Sequence, residues 1–289
     1  MWIRDEVPES VAGARGILYG YDASVADSDS FQSIRDIARG FFEQLRATGW
    51  QRDAAAPLAF LAHSLGGIIL MDALLQIADS RNNLDSSILG KVRGVILFGV
   101  PTLGMEQENL RAMTEGRANE TLIHDLSRES NYLRNLNQSY FGVAQLRRLL
   151  VFWGYETRTS PTLEVTSTLA HSWPFTRLIT WYTQRAADGR WTRTGPHQIL
   201  VDRHSATHRN IDHDPQSTFP INENHSDLVK FTRGNAHSRS VISNLNAMLL
   251  PQRVRGDSSK GIRSGPTAAS DIGDSTPDQQ DPVEFTLTG

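Results

Sequence analysis

The residues with the most chemical promise lie at 58–69, Leu-Ala-Phe-Leu-Ala-His-Ser-Leu-Gly-Gly-Ile-Ile. An apolar run enters a tight Ser-Leu-Gly-Gly turn, and an apolar, helix-like segment from Ile68 to Ile77 follows at once. Strand, sharp turn carrying a serine, then helix is the layout of a nucleophile elbow. The two backbones pass close together in such a turn, so small residues are needed two before and two after the serine. Here these are Ala62 and Gly66 around Ser64, an A-x-S-x-G version of the pattern. The turn would lift Ser64 Oγ to the top of a sheet. The Leu65 N–H and the positive end of the following helix would then be free to stabilise an oxyanion. The same pattern also suits a buried strand–turn–helix joint with an incidental serine.

A serine hydroxyl needs a histidine to take its proton and an acid to orient that histidine. In elbow-bearing folds the chain order is serine, acid, histidine, with the acid after a later strand and the histidine near the end. Of the nine histidines, His63 adjoins the serine and its ring should point away. His124 falls in the segment 104–147 that could form a lid, His171 and His197 in an irregular insertion, and His204, His208 and His213 in a His- and Asp-rich loop after the last expected strand. His225 precedes the apolar residues Leu228, Val229 and Phe231, which can anchor it. It is the preferred base; otherwise it is a surface histidine at a helix start. For the acid, Glu156 follows the strand at 149–154 and would project at the sheet's carboxyl edge, where ligands bind in such folds. Asp202 is the alternative, with Asp212 and Asp214 behind it. The His- and Asp-rich loop 202–214 matches no metal-ligand spacing, and no metal or cofactor is expected.

The elements that must position these groups read as an α/β chain. Strands are expected at 14–21, 58–62, 93–100, 149–154 and 198–201. An amphipathic helix at 30–47 is marked by Phe31, Ile34, Ile37, Ala38, Phe41, Phe42 and Leu45. A helix end is expected at 2–6, stopped near Pro8, with a short helix from Asp227 to Phe231 and a final one at 236–250. Continuous apolar strands alternating with helices indicate a mostly parallel, doubly wound sheet covered on both faces. Residues 104–147 are either a lid over the site or an ordinary connecting helix pair. Residues 158–196 read as an irregular insertion, 202–224 as a polar loop, and 251–289, rich in Ser, Gly, Asp and Pro, as a disordered tail. The hydrolase-like domain is therefore expected over 1–250.

Bulk composition narrows the partners. The 289 residues are 39% hydrophobic, with six Trp and eleven Phe, enough for one sizeable core. A net charge of −3 offers no basic field for nucleic acid. With no cysteine there is no disulfide framework and no thiolate chemistry. No apolar run reaches the roughly 20 residues of a membrane span, and the first residues have no signal-peptide core.

With these pieces in place, the chain resembles the serine active site-containing protein family. These are lipase-like α/β-hydrolases, abundant in fungi, either alone or ahead of NACHT and repeat modules. The matching blocks are Trp2–Glu9, Ala14–Asp22, Phe60–Gly67, Val95–Thr102, Tyr155–Thr157, Val201–Ala206 and Asn224–Phe231, in that order. The resemblance implies an α/β-hydrolase fold with Ser64 as nucleophile, His225 as base and Glu156 at the position of the family's strand-end glutamate. It implies an ester substrate, in particular a lipid, with peripheral membrane association at mitochondria and endoplasmic reticulum. Family members carry a strand and a His-Gly-Leu-Gly loop before the Trp-x-Arg-Asp helix, and this chain starts at that helix. The domain is therefore expected to be N-terminally incomplete, with one oxyanion donor fewer and a loss on the order of 10²–10³ in rate. The alternative is a weak or inactive hydrolase-like module serving interaction within a larger receptor-like protein.

Overall fold

A computed structural model describes residues 2–22, 29–50, 52, 56–105, 114, 117–162, 165–169, 179–183, 195–249 and 283–288. Ten strands occur among them: β1 Ala14–Tyr19, β2 Leu58–His63, β3 Val92–Phe98, β4 Leu150–Glu156, β5 Ser160–Pro161, β6 Val165–Leu169, β7 Ile179–Thr183, β8 His197–Gln198, β9 Thr218–Ile221 and β10 Val283–Thr288. Six form the main sheet in the order β1-β10-β2-β3-β4-β9, and every neighbouring pair is parallel. The pairs β5–β8 and β6–β7 are small antiparallel ribbons.

Parallel strands need crossovers, and here helices on both faces provide them. Along β2, Leu58, Phe60 and Ala62 belong to one apolar cluster, while Ala59 and Leu61 belong to a second. Along β3, Val95 and Leu97 join the first cluster, and Ile96 and Phe98 the second. Strand alternation thus feeds two helix layers from one sheet, and this explains why both strands read as unbroken apolar runs.

The helices are α1 Trp2–Asp5, α2 Val7–Ser10, α3 Ile34–Ala47, α4 Leu65–Ala78 and α5 Asn83–Lys91, followed by later ones given by their residues. Helix α3 starts where Ser33 and Asp36 form a reciprocal capping box, and it buries Ile34, Ile37, Ala38, Phe41, Phe42 and Leu45. Helix α4 is buried almost all round, from Gly66 to Leu74, so it lacks a polar stripe. The second face is covered by α1, α2 and the helix Ala236–Leu249, whose Val241, Ile242, Leu245 and Met248 meet Trp2, Ile3 and Val7. Each fully buried Leu, Ile or Phe contributes about 1.5–3 kcal/mol.

Several expectations change. Pro8 does not stop the N-terminal helix; it sits in the first turn of α2, where its missing N–H is harmless. The main-sheet strand that precedes His225 is β9 rather than 198–201. Residues 197–198 pair only with β5, outside the main sheet. Strand β9 carries Pro220, tolerated because it is an edge strand. The helices Glu120–Asp125 and Asn131–Gly142 bury Leu122, Ile123, Leu133, Leu136 and Tyr140 in the main core. Asp227 opens no helix; His225–Asp227 is a single 3-10 turn. Within the expected tail, β10 lies between β1 and β2, with Thr288 opposite both Tyr19 and Ala62. Most of the expected 158–196 insertion, His171 included, and residues 250–282 lie outside the described residues.

Candidate active site

Strand β2 ends at His63 and α4 begins at Leu65, which leaves one residue to turn the chain. Ser64 takes that turn with φ 51° and ψ −127°, a conformation that costs on the order of 1–3 kcal/mol for a residue with a Cβ. Its surroundings hold it there. The Ser64 N–H donates to the Phe98 carbonyl at 2.9 Å, and the Ser64 carbonyl accepts from Gly67 N at 3.0 Å. A Cβ on Gly67 would lie 2.2 Å from Val100 Cγ2, so only glycine lets the helix start approach the end of β3. Ala62, two before the serine, is buried within the sheet, and its methyl fits.

His225 comes from the turn after β9, whose start is capped by Asn224. Its Nε2 lies 2.8 Å from Ser64 Oγ, and its Nδ1 lies 2.7 Å from Glu156 Oε2. Glu156 is the last residue of β4, and its side chain is fully buried. Its other oxygen, Oε1, accepts from Leu200 N at 2.6 Å and Val201 N at 3.1 Å. The carboxylate thus has three donors and a fixed orientation. Because a carboxylate only accepts, the His225 proton sits on Nδ1. That leaves Nε2 with a lone pair facing the serine hydroxyl, and the Ser64 O–H donates to it. Gly99 makes room for the ring: its φ is +55°, and a Cβ there would meet His225 Nδ1 and Cε1 at 3.1 Å and Leu228 Cδ1 at 2.6 Å.

The Leu65 N–H, the first of helix α4, has no carbonyl four residues back to bond. It stands beside Ser64 at the positive end of a 14-residue helix. A strand–elbow–helix in a parallel sheet, with serine, acid and histidine in that chain order at the carboxyl ends of β2, β4 and β9, is the α/β-hydrolase architecture.

The other candidates are engaged elsewhere. Asp202 caps the short helix Arg203–Ala206 by accepting from His204 N and Ser205 N, and it pairs with Arg128 at 2.9 Å. His204 faces Asp212 at 3.4 Å; these groups line an open cavity of about 510 Å³. His208 stacks on Phe141 at 4.3 Å and 26°. Burial pushes its pKa down to about 4, so it is a neutral packing residue. His213, Asp214, His124 and His197 are exposed. Among the described residues no group of three or more His, Asp or Glu could hold a metal ion.

His63 departs from expectation. Its ring turns toward the histidine loop, with Nε2 2.9 Å from the His225 carbonyl and the two rings 4.9 Å apart. Ser160, Gly99 and the Leu200 and Val201 amides also escape a linear reading. Gly99, between an apolar strand and Val-Pro, carried a faint turn signal; the amides carried none, because their contribution is backbone.

No known family model and no curated protein sequence matches the chain. Among solved structures, the mature form of the Bacillus licheniformis lipase BlEst2 is 12% identical with a TM-score of 0.37; the match covers 52% of this chain and 68% of the lipase. The Legionella pneumophila phospholipase PlaB, solved in complex with thio-NAD, is 15% identical with a TM-score of 0.37; the match covers 80% of this chain and 53% of the phospholipase. The chain thus spans about half the length of that phospholipase.

Proposed function

We propose that the chain is a serine hydrolase that cleaves a carboxylic ester, with Ser64 as nucleophile, His225 as general base and acid, Glu156 as the orienting acid and the Leu65 N–H as oxyanion donor. The observation that carries this is the unbroken hydrogen-bond chain from buried Glu156 through His225 to Ser64 Oγ. Ser64 Oγ attacks the ester carbonyl as its proton passes to His225 Nε2. The imidazolium so formed is held against the Glu156 carboxylate, and the tetrahedral oxyanion faces Leu65 N–H and the α4 dipole. Collapse expels the alkoxide, which takes the proton from Nε2. A water then repeats the cycle on the acyl-serine, releasing the acid and restoring the hydroxyl.

The resemblance of residues 1–250 to the serine active site-containing family extends the proposal to lipid esters met at a mitochondrial or endoplasmic-reticulum membrane. That resemblance also implies a peripheral contact; among the described residues no helix is long and apolar enough to cross a membrane.

The test is covalent labelling of the purified chain by a fluorophosphonate probe. Labelling that Ser64→Ala and His225→Ala both abolish is the expected result. A folded wild-type chain that stays unlabelled overturns the proposal and leaves a hydrolase-like module without chemistry.

A further inference from the structure

Orienting the His225 ring is not enough; the backbone that carries it must also stay in place. His225 lies in a single 3-10 turn, His225–Asp227, and such a turn has no ladder to lock it to the sheet. Yet both of its own backbone polar groups are taken by side chains from other elements. The carbonyl accepts from His63 Nε2 at 2.9 Å, at the end of the elbow strand β2. The N–H donates to Ser160 Oγ at 3.2 Å, from the ribbon strand β5 just beyond Glu156. Both contacts cross long sequence separations, and Ser160 is buried.

From this we infer that His63 and Ser160 are positioning residues that clamp the His225 peptide groups and so hold the ring at hydrogen-bond distance from Ser64. The inference deepens the serine-hydrolase proposal and rests on it.

The chemistry of His63 suits the task. A carbonyl can only accept, so the His63 proton sits on Nε2. Burial, and then the nearby His225, push its pKa down to about 4, and the ring is neutral at working pH. A neutral donor anchors the carbonyl without placing a second cation beside the imidazolium that His225 becomes. Lysine or arginine would donate as well but would oppose that charge. His63 also adjoins the nucleophile in sequence, so a single short segment sets both Ser64 and the base that faces it.

The experiment compares wild type, His63→Leu, His63→Gln and Ser160→Ala in hydrolysis of a p-nitrophenyl acyl ester. Amide hydrogen exchange of residues 222–231 and a thermal melt are measured on each. A misplacement of about 1 Å between reacting groups costs roughly 10²-fold. His63→Leu is expected to lower kcat about 10–100-fold with KM changed less than twofold, and to speed exchange across 222–231. His63→Gln, whose amide can still donate to the carbonyl, should recover to within about fivefold of wild type. Ser160→Ala, which removes only a hydroxyl, should lower kcat about 3–10-fold and is an independent arm if His63→Leu does not fold. Equal kcat losses in His63→Leu and His63→Gln, or wild-type kcat and exchange in His63→Leu and Ser160→Ala, overturn the inference. A wild-type chain without turnover overturns the hydrolase proposal instead, and exchange across 222–231 then decides the clamp by itself.

Discussion

Replacing Glu156 by Gln changes one atom and tests the site's hydrogen-bond logic. Oε1 accepts from two backbone amides, Leu200 N and Val201 N, while Oε2 meets His225 Nδ1. Glutamine has one oxygen and one NH₂. With its oxygen on the two amides, the NH₂ faces His225 and forces Nδ1 to accept. The His225 proton then moves to Nε2, which can no longer take a proton from Ser64. Turning the amide round restores the tautomer, but it sets an NH₂ against two backbone donors. That leaves two backbone donors without an acceptor, at about 1–3 kcal/mol each. The productive arrangement is therefore about 2–6 kcal/mol above the unproductive one, which at about 1.36 kcal/mol per decade is a loss of roughly 30-fold to 10⁴-fold in rate. The assay is the second-order rate of fluorophosphonate labelling, or kcat/KM on an activated ester. Nitrogen-15 shifts of the His225 ring should report the proton on Nε2. A rate within tenfold of wild type, with the proton still on Nδ1, would refute this reasoning.

Two further outcomes follow from the same geometry. Gly67→Ala should lower stability by about 1–3 kcal/mol, because its methyl would sit 2.2 Å from Val100 Cγ2. Pairing it with Val100→Ala should recover part of that loss in a double-mutant cycle of thermal melts, and strict additivity would count against the close approach. Stability should also fall as pH drops from about 6.5 to 4, since His63 and His208 stay neutral in the fold down to about pH 4 but charge when unfolded. The unfolded chain binds more protons in that window, which costs on the order of 1–3 kcal/mol per histidine. Urea melts at pH 7, 5.5 and 4.5 read it, and replacing His208 with Phe should flatten the slope.

Much of the arrangement was legible in the sequence because its physical cause is local. The elbow needs small residues two before and two after the serine and a glycine at 67, and Ala62, Gly66 and Gly67 stand in the chain to be read. Helix α3 announces itself through its apolar period, and β2 and β3 through runs that only a strand covered on both faces would carry. Chain order together with the apolar residues Leu228, Val229 and Phe231 that follow it favoured His225.

What the sequence could not decide was pairing across long separations. Glu156 was favoured as the acid by its place at a strand end, with Asp202 left open as the alternative. Only the fold aims Glu156 at His225 Nδ1 and spends Asp202 on a helix cap. His63 was expected to point away because a strand residue's direction is clear only once the sheet's neighbours are known. Strand β9 was hidden by Pro220, which forbids a central strand but not an edge. Nothing local in 283–288 says that these residues pair with β1 and β2 at once. A strand's partner is chosen by the unsatisfied backbone groups of distant segments, and those come together only in the folded sheet.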